Sequence, residues 1–170
     1  MNNFTVFSAL LACSMFFSCG GAEEPRPDEK AEIAVPEETP GEPVTFSSIN
    51  GQWYLMYPED LGYELQFYKN FRSLIILYLG NHALLFKGVY NIEDGGRVRI
   101  NIYEMKRSES AKGFNRTGGF IKAKSSYFLL QCHTVGQKQE QRLIVRPVKI
   151  VIDGNNSDGY LEPVLRLKKR

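Results

Sequence analysis

Few side chains in this chain have the chemistry of a catalytic or metal site, and they are not spaced to form one. The only histidines are His82 and His133. There is no Gly-x-Ser-x-Gly sequence, and His, Cys and carboxylate residues are not clustered at the spacing that metal ions require. Cys132 adjoins His133, but neighbours on a strand point to opposite faces. We therefore expect no enzyme activity, no metal and no other cofactor.

One segment, residues 153–159, has oxygen-bearing side chains at its first, third and fifth positions, as a calcium-binding loop does. Its sixth residue is Asp158, where such loops have glycine. Val164 stands where the bidentate glutamate of the loop belongs. A turn between the last two strands is therefore the better interpretation of this segment.

Cys19 is the remaining residue whose side chain could undergo a chemical modification. Residues 4–17 before it are almost all apolar or small. This run is too short to span a bilayer, which needs about 20 apolar residues, and it has the length of a signal-peptide core. Gly20, Gly21 and an acidic, proline-rich segment follow at once. The layout resembles the lipobox of bacterial lipoproteins, in which this cysteine becomes the mature N-terminus and receives acyl chains.

The resemblance implies a signal peptide over residues 1–18, acylation of Cys19, and anchoring in the inner or outer membrane of a bacterial cell envelope. Cys13 also follows a lipobox-like sequence, Leu10-Leu11-Ala12, but cleavage there would leave a very short leader. The alternative is an ordinary secreted protein cleaved near Cys19. Cys132 is then the only thiol of the domain, and its apolar surroundings in the sequence predict a buried side chain.

Charge divides the rest of the chain into two parts. Residues 19–45 contain eight acids, two bases and five of the eight prolines, a net charge of −6. They cannot bury enough apolar surface to fold, so we expect a disordered tether. Residues 46–170 contain 19 bases and 11 acids, a net charge of +8. This asymmetry indicates an anionic surface or partner, or serves only solubility; nucleic acid is not expected.

The sequence pattern of residues 46–170 predicts many short strands separated by turn residues. Arg97, Arg99 and Asn101 alternate with Val98, Ile100 and Ile102, which we expect to face inward. Pro147 lies inside a strand-like run and predicts an edge or a bulge. The nine predicted strands cover residues 52–57, 61–68, 71–79, 84–92, 97–105, 120–123, 127–133, 143–152 and 160–167. Closing such a sheet hides its edges, so the predicted fold is all-β, an antiparallel barrel of eight to nine strands.

Two motifs resemble lipocalins. Gly51-Gln52-Trp53 is similar to the Gly-x-Trp that opens their first strand, and Gly88-Val89-Tyr90 is similar to a hairpin of small bacterial lipocalin-like lipoproteins. The resemblance implies that Trp53 packs across the barrel floor, with a late arginine, Arg146 or Arg166, over its ring. It also implies a pocket for a small apolar or amphipathic ligand. The inward residues that we expect to line this pocket are Trp53, Tyr63, Phe67, Phe86, Tyr90 and Ile100.

A second surface is predicted at the long loop of residues 106–119, since a long loop in a compact domain is often functional. It and the following strand are basic, with Lys106, Arg107, Lys112, Arg116, Lys122 and Lys124. Two functions therefore stay open: ligand binding in a hollow barrel, or a filled barrel used for adhesion, inhibition or scaffolding, which binds a protein or polyanion through its basic surface. The inward positions favour a filled barrel, because only Gly88 and Ala123 are plainly small.

Overall fold

The computed structural model describes residues 41–109, 116, 118–137 and 140–170. Lys112 and the segment before residue 41, with Cys19, lie outside these ranges. One short helix, α1 (Phe46–Ile49), begins at Thr45, whose side chain accepts the Ser48 N–H in a capping box. The strands are β1 (Glu42–Pro43), β2 (Gly51–Met56), β3 (Leu61–Phe67), β4 (Arg72–Leu79), β5 (His82–Glu93), β6 (Arg97–Ser108), β7 (Ile121–Val135), β8 (Arg142–Ile152), β9 (Asn155–Asn156) and β10 (Leu165–Lys169).

Eight of these strands close into an antiparallel barrel, which confirms the predicted fold class. Strands β2 to β8 follow one another around the barrel, and β10 lies between β8 and β2. The two remaining strands are short additions: β1 pairs with β7 and β9 with β8. Every pairing of the closed barrel falls within residues 42–169. We refer to the end where β2 begins as the α1 end, and to the opposite end as the long-loop end.

Alternation along the strands sets the two faces of the sheet. In β6, Val98 and Ile100 are fully buried in the interior, while Arg97 and Asn101 are exposed, as predicted. Strand β4 is apolar from Leu74 to Leu79, and both of its faces are covered from Leu74 to Leu77. Ile75 and Leu77 belong to the interior core, whereas Leu74 and Ile76 form a second cluster on the outer face together with Ala83, Leu85 and part of Tyr78 and Phe120.

Two predicted strands, residues 120–123 and 127–133, are one continuous strand, β7, and this boundary was wrong. Ser125 lies between them with φ 46° and kinks the strand without ending it. Pro147 lies at the predicted bulge: Leu129 pairs with Lys149 and Leu130 with Pro147, which leaves Val148 unpaired. The segment 153–159 is a turn, as predicted, with the short hairpin partner β9 inside it.

Candidate functional site

The interior of the barrel is filled with side chains. Residues on every barrel strand are 0–2% exposed, from Trp53 on β2 to Leu167 on β10. A hollow large enough for water would expose some of the side chains that border it, so the buried part of the interior has no such space. The fully buried interior residues include Leu65, Val98, Ile100, Phe128, Leu130, Cys132, Leu143, Val145, Ile150 and Leu165.

Cys132 belongs to this core, which confirms the predicted buried thiol. Its side chain is 0% exposed, and burial raises the pKa of the thiol well above its usual value. Because the thiolate is the reactive form of cysteine, this thiol is protected against alkylation and oxidation while the barrel is folded.

Trp53 closes the α1 end of the barrel. Its indole Nε1 donates a hydrogen bond to the Ile49 carbonyl at 2.7 Å, which holds α1 against the core. The ammonium of Lys169, the register partner of Trp53, lies 5.0 Å from the ring centroid. The structure thus has a lysine where the resemblance to lipocalins implies an arginine.

The six residues predicted to line a ligand pocket all face the interior, but they occupy different environments. Trp53, Phe67, Phe86, Tyr90 and Ile100 are at most 2% exposed and pack within the filled core. Tyr63 is only partly buried and lies nearer the long-loop end. It is therefore the one member of the predicted set that also borders open space.

That space, which we call the Tyr63 pocket, has a volume of about 580 Å³. Strand β10 pairs with β8 only up to Val145, and β9 pairs only with Val151 and Ile152. Between these pairings, β8 is flanked on this side by the irregular segment that precedes β10. The pocket opens at this gap. Its lining combines five largely apolar residues with an acidic edge: Tyr63, Pro147, Val148, Leu161, Pro163, Asp158, Gly159 and Glu162.

The acidic edge acts on the phenol of Tyr63. Burial, followed by the negative charge of Glu162 and a hydrogen bond to it, raises the pKa of Tyr63 to about 12. Glu162 also accepts a hydrogen bond from the hydroxyl of Tyr57 at 2.9 Å. The Asp158 carboxylate accepts the Ile150 N–H at 2.8 Å, and this bond lowers the pKa of Asp158. The phenol of Tyr63 is therefore neutral at neutral pH, and the acidic side chains of Asp158 and Glu162 lie at the same pocket.

A second polar arrangement lies on the outer face of the barrel, around Glu64 of β3. This carboxylate is only 3% exposed. Arg116 donates to it from both terminal nitrogens of its guanidinium, Nη1 and Nη2, at 3.0 and 3.2 Å, and the Tyr78 hydroxyl donates to it at 2.7 Å. Gln52 and Gln66 donate as well, and the hydroxyl of Tyr68 donates to Gln66. The acceptor capacity of the carboxylate is thereby filled.

These bonds keep Glu64 ionised. Burial opposes ionisation, but the hydrogen bonds from Arg116, Tyr78 and Gln66 outweigh it, so the pKa of Glu64 lies below its usual value. The pKa of Arg116 is raised, since the hydrogen bond and the charge of Glu64 outweigh its own desolvation. Burial and the bond to Glu64 also raise the pKa of Tyr78.

Beside this cluster lies a cleft of about 410 Å³, which we call the Arg72 cleft. Its basic residues are Arg72, Lys87 and Arg116, and its floor includes Leu74. Lys87 is held by an ion pair with Glu104 at 3.0 Å and lies 3.7 Å above the ring of Phe120. Tyr68 and Tyr103, which are 43% and 38% exposed, form part of its walls.

The structure separates the basic residues that the sequence groups around the long loop. Arg116 is bound to Glu64, and Lys106 donates to the Gly118 carbonyl at 2.7 Å. Arg107 lies 3.5 Å from Glu109 at the surface. Lys122 and Lys124 are exposed on β7. Of the five predicted residues that the structure describes, only Arg116 belongs to the Arg72 cleft.

Sequence reasoning did not identify Glu64, Arg72 or Lys87 as site residues. Each lies on an outward position of a strand, where a charged residue is usually solvated. One signal was available: residues 74–79 are apolar on both faces of the strand, which indicates that another part of the chain covers the outer face. Phe120 is part of that cover, and Arg116 lies above the neighbouring strand.

Comparison with known proteins gives no relative: no family model, no curated protein and no solved structure matches this chain. Within the described ranges, no three His, Cys, Asp or Glu side chains are placed to hold a metal ion. No helix among the described residues has both the length and the hydrophobicity to cross a membrane.

Proposed function

We propose that this protein is a bacterial envelope lipoprotein, acylated at Cys19, that binds a small amphipathic ligand in the Tyr63 pocket and has no catalytic role. The observation that supports this most directly is the pocket itself. Its volume of about 580 Å³ falls within the roughly 300–1,000 Å³ of small-molecule sites, and its lining has the usual character of such sites, apolar with a few converging polar groups.

The lining also indicates the chemistry of the ligand. Pro147, Val148, Leu161 and Pro163 offer apolar contact along one part of the pocket. Asp158 and Glu162 accept hydrogen bonds but cannot donate them when ionised. The ligand that fits this arrangement has an apolar body and a head group with N–H or O–H donors, such as an amine or a polyol. An anionic head group would be repelled by the two carboxylates.

Native mass spectrometry tests ligand binding. The chain from Gly20, which retains every strand of the closed barrel, is purified from its natural host. We expect an added mass that disappears on denaturation. Val148 is 51% exposed, so Val148→Trp fills the pocket at little cost to folding, and this variant should lack the added mass.

The matched control for this experiment is Val89→Trp, since Val89 is 46% exposed on β5, away from the pocket. It should keep the added mass. Binding at this pocket would be refuted if the wild-type protein carried no added mass, or if the Val148→Trp variant kept the added mass.

The membrane anchor needs a separate test. Each buried methylene contributes about 0.8 kcal/mol to membrane affinity, so several acyl chains on Cys19 would make release negligible. Cells that are fed a clickable fatty acid should label the wild-type chain, and Cys19→Ala should abolish the label. The absence of label on the wild type, or its persistence in the variant, would refute acylation and leave the ligand question open.

The filled interior favours a second candidate function, recognition of a protein or polyanion through the outer surface. The domain has a net charge of +8 over residues 46–170. Lys122 and Lys124 are exposed. A lipid-anchored barrel with this charge would bind an acidic partner in a salt-dependent manner. If native mass spectrometry finds no ligand bound to the wild-type protein, the search for a partner turns to this surface.

A further inference from the structure

We propose that the Arg72 cleft is a second binding site, specific for a small organic anion: a carboxylate or phosphate joined to a ring or another apolar body. The site lies on the outer face of β3 to β6, and its residues are separate from those of the Tyr63 pocket. Neither acylation nor ligand binding in the Tyr63 pocket is required for it.

The sign of the charge follows from the residues that line the cleft. Three of them, Arg72, Lys87 and Arg116, are basic, and no Asp or Glu is among the described residues of the lining. Glu64 lies beneath Arg116 and is nearly fully buried, so its charge is compensated by its own hydrogen bonds. An anion in the cleft therefore meets basic side chains and no carboxylate of the described lining, although Glu104, the 39% exposed partner of Lys87, lies just outside it.

Arg72 is the residue best placed to bind the anion. It is exposed at the start of β4. Among the residues that the structure describes, no carboxylate lies within ion-pair distance of its guanidinium. A planar guanidinium binds a carboxylate or phosphate through two parallel hydrogen bonds. Lys87 and Arg116 are each paired with a carboxylate, so among the described residues the uncompensated positive charge of the cleft is that of Arg72.

The other groups of the cleft are fixed before any ligand binds. The ion pair with Glu104 and the ring of Phe120 hold Lys87. Gln66 accepts a hydrogen bond from the hydroxyl of Tyr68 and donates one to the Glu64 carboxylate. A site whose side chains are already ordered loses less entropy on binding. The buried Glu64 cluster thus supports the cleft from below.

The body of the ligand is inferred from the apolar part of the cleft. Leu74 provides the floor and is 7% exposed, while Tyr68 and Tyr103 present half-exposed rings. Contact of these apolar surfaces with a ring or an alkyl group contributes favourable binding free energy, which a bare inorganic ion cannot provide. The volume of about 410 Å³ accommodates a ligand of one or two rings.

The experiment uses phenyl phosphate, benzoate, inorganic phosphate and phenol as probes, titrated into the chain from Gly20 and followed by NMR. We expect phenyl phosphate or benzoate to bind at least about tenfold more tightly than inorganic phosphate and phenol, since head group and body both contribute. Shifts should appear at Tyr68, Leu74, Lys87 and Tyr103, and binding should weaken as salt is added. The preferred probe identifies the head group.

Variants separate a specific site from general charge attraction. Arg72→Gln should weaken binding of the organic anion by about tenfold, the usual effect of losing hydrogen bonds to a charged group. The affinity for phenol should not change. Arg97→Gln, which removes an exposed arginine from β6, should have little effect. Equal losses in the two variants, no preference for the organic anions, or shifts outside the cleft would overturn the proposal. A thermal melt confirms that both variants are folded.

Discussion

Glu64 and Arg116 form a two-point ion pair on the outer face of the barrel, with Nη1 3.0 Å from Oε1 and Nη2 3.2 Å from Oε2. The two residues are 52 positions apart in the sequence. Taking a carboxylate out of water costs several kcal/mol, which only good geometry and further hydrogen bonds offset. Arg116, a described residue of the long loop, is therefore fixed to the barrel at this point.

The first prediction concerns this pair. Arg116→Gln leaves the buried carboxylate without its cation and should lower the free energy of unfolding by about 2 kcal/mol. This is below the roughly 3–5 kcal/mol of fully buried pairs, since Tyr78, Gln52 and Gln66 still donate to Glu64 and the side chain of Arg116 is 41% exposed. Urea denaturation measures the loss.

The control for this pair is Arg107→Gln. The contact of Arg107 with Glu109 joins side chains that are 63% and 77% exposed, and such pairs contribute at most about 1 kcal/mol. We expect a change of less than about 0.5 kcal/mol. Equal losses in the two variants would show that the Glu64 pair has no special role in stability.

The second prediction is a loss of stability in acid that depends on Glu64. The folded pKa of Glu64 is lowered from its ordinary value of 4.5, so the folded state favours the ionised form. Its contribution is complete above pH 4.5 and is lost as the pH falls through the folded pKa. The difference in unfolding free energy between wild type and Arg116→Gln should therefore shrink below pH 4.5. A difference that is constant with pH would contradict this assignment.

Alternation along the sequence predicts which side chains of β5, and of β6 up to Ile102, face the interior, because successive residues of a regular strand point to opposite faces. A bulge after Ile102 then reverses the alternation, so that Met105 also packs against the core. The same rule places Glu64 on the outer face, where a carboxylate is expected to be solvated. It is buried instead because Arg116 and Phe120 return over the outer face of the sheet. A contact between such distant residues leaves no local pattern in the sequence.

The sequence also could not decide between a filled and a hollow barrel, since this depends on how the volumes of inward side chains add up in three dimensions. The large residues Trp53, Phe67 and Phe128 belong to one buried cluster that fills the interior, in which Phe67 packs on Tyr90 and Phe128 on Phe86. The Tyr63 pocket was not predictable for another reason. It exists because β10 begins only at Leu165 and β9 pairs only with Val151 and Ile152, so residues 146–150 of β8 have no strand on that side.

The third prediction concerns Ser73, whose hydroxyl is buried and has no hydrogen-bond partner in the described part of the chain. A buried unsatisfied polar group costs about 1–3 kcal/mol. Ser73→Ala removes the hydroxyl and breaks no bond, so it should raise the free energy of unfolding by about 1 kcal/mol. The midpoint of urea denaturation should move upward without a change in slope.

Ser126→Ala is the matched control for this change. Ser126 is similarly buried, but its hydroxyl donates to the Lys124 carbonyl at 3.0 Å and accepts the Asp153 N–H at 2.8 Å. Its removal should destabilise the barrel by about 1–2 kcal/mol. Loss of stability in Ser73→Ala would mean that its hydroxyl has a partner, such as a buried water.

The fourth prediction tests the basic surface as a site for an acidic partner. Lys122 and Lys124 are exposed on β7, so replacing both with Glu should change stability by less than about 0.5 kcal/mol. If this strand contributes to partner binding, the variant should elute from a dextran sulfate column at lower salt than the wild type.

A control with the same net charge is needed for the column, because any loss of positive charge weakens retention. Lys69→Glu combined with Lys168→Glu changes the charge equally at exposed positions elsewhere on the barrel. The Lys122 and Lys124 variant should elute earlier than this control. Identical elution of the two would show that only net charge matters and would exclude a localised site on β7.

The fifth prediction concerns alkaline pH and the Tyr63 pocket. The pKa of Tyr63 is raised from 10.0 to about 12, by burial first and then by the charge and hydrogen bond of Glu162. The folded state thus favours the neutral phenol. Its contribution to stability is complete below pH 10 and is lost as the pH rises through about 12. Tyr63→Phe should therefore lose less stability than the wild type over this interval.

Glu162→Gln separates the two causes of this shift. It removes the negative charge but leaves the burial of Tyr63 largely intact, so the folded pKa of Tyr63 should fall towards, but not reach, its ordinary value. The alkaline loss of stability should then be smaller than in the wild type. Tyrosinate absorbance in the folded state follows the titration directly. If Tyr63→Phe removes a group that titrates near pH 10, the phenol is solvated and the pocket does not shield it as the structure implies.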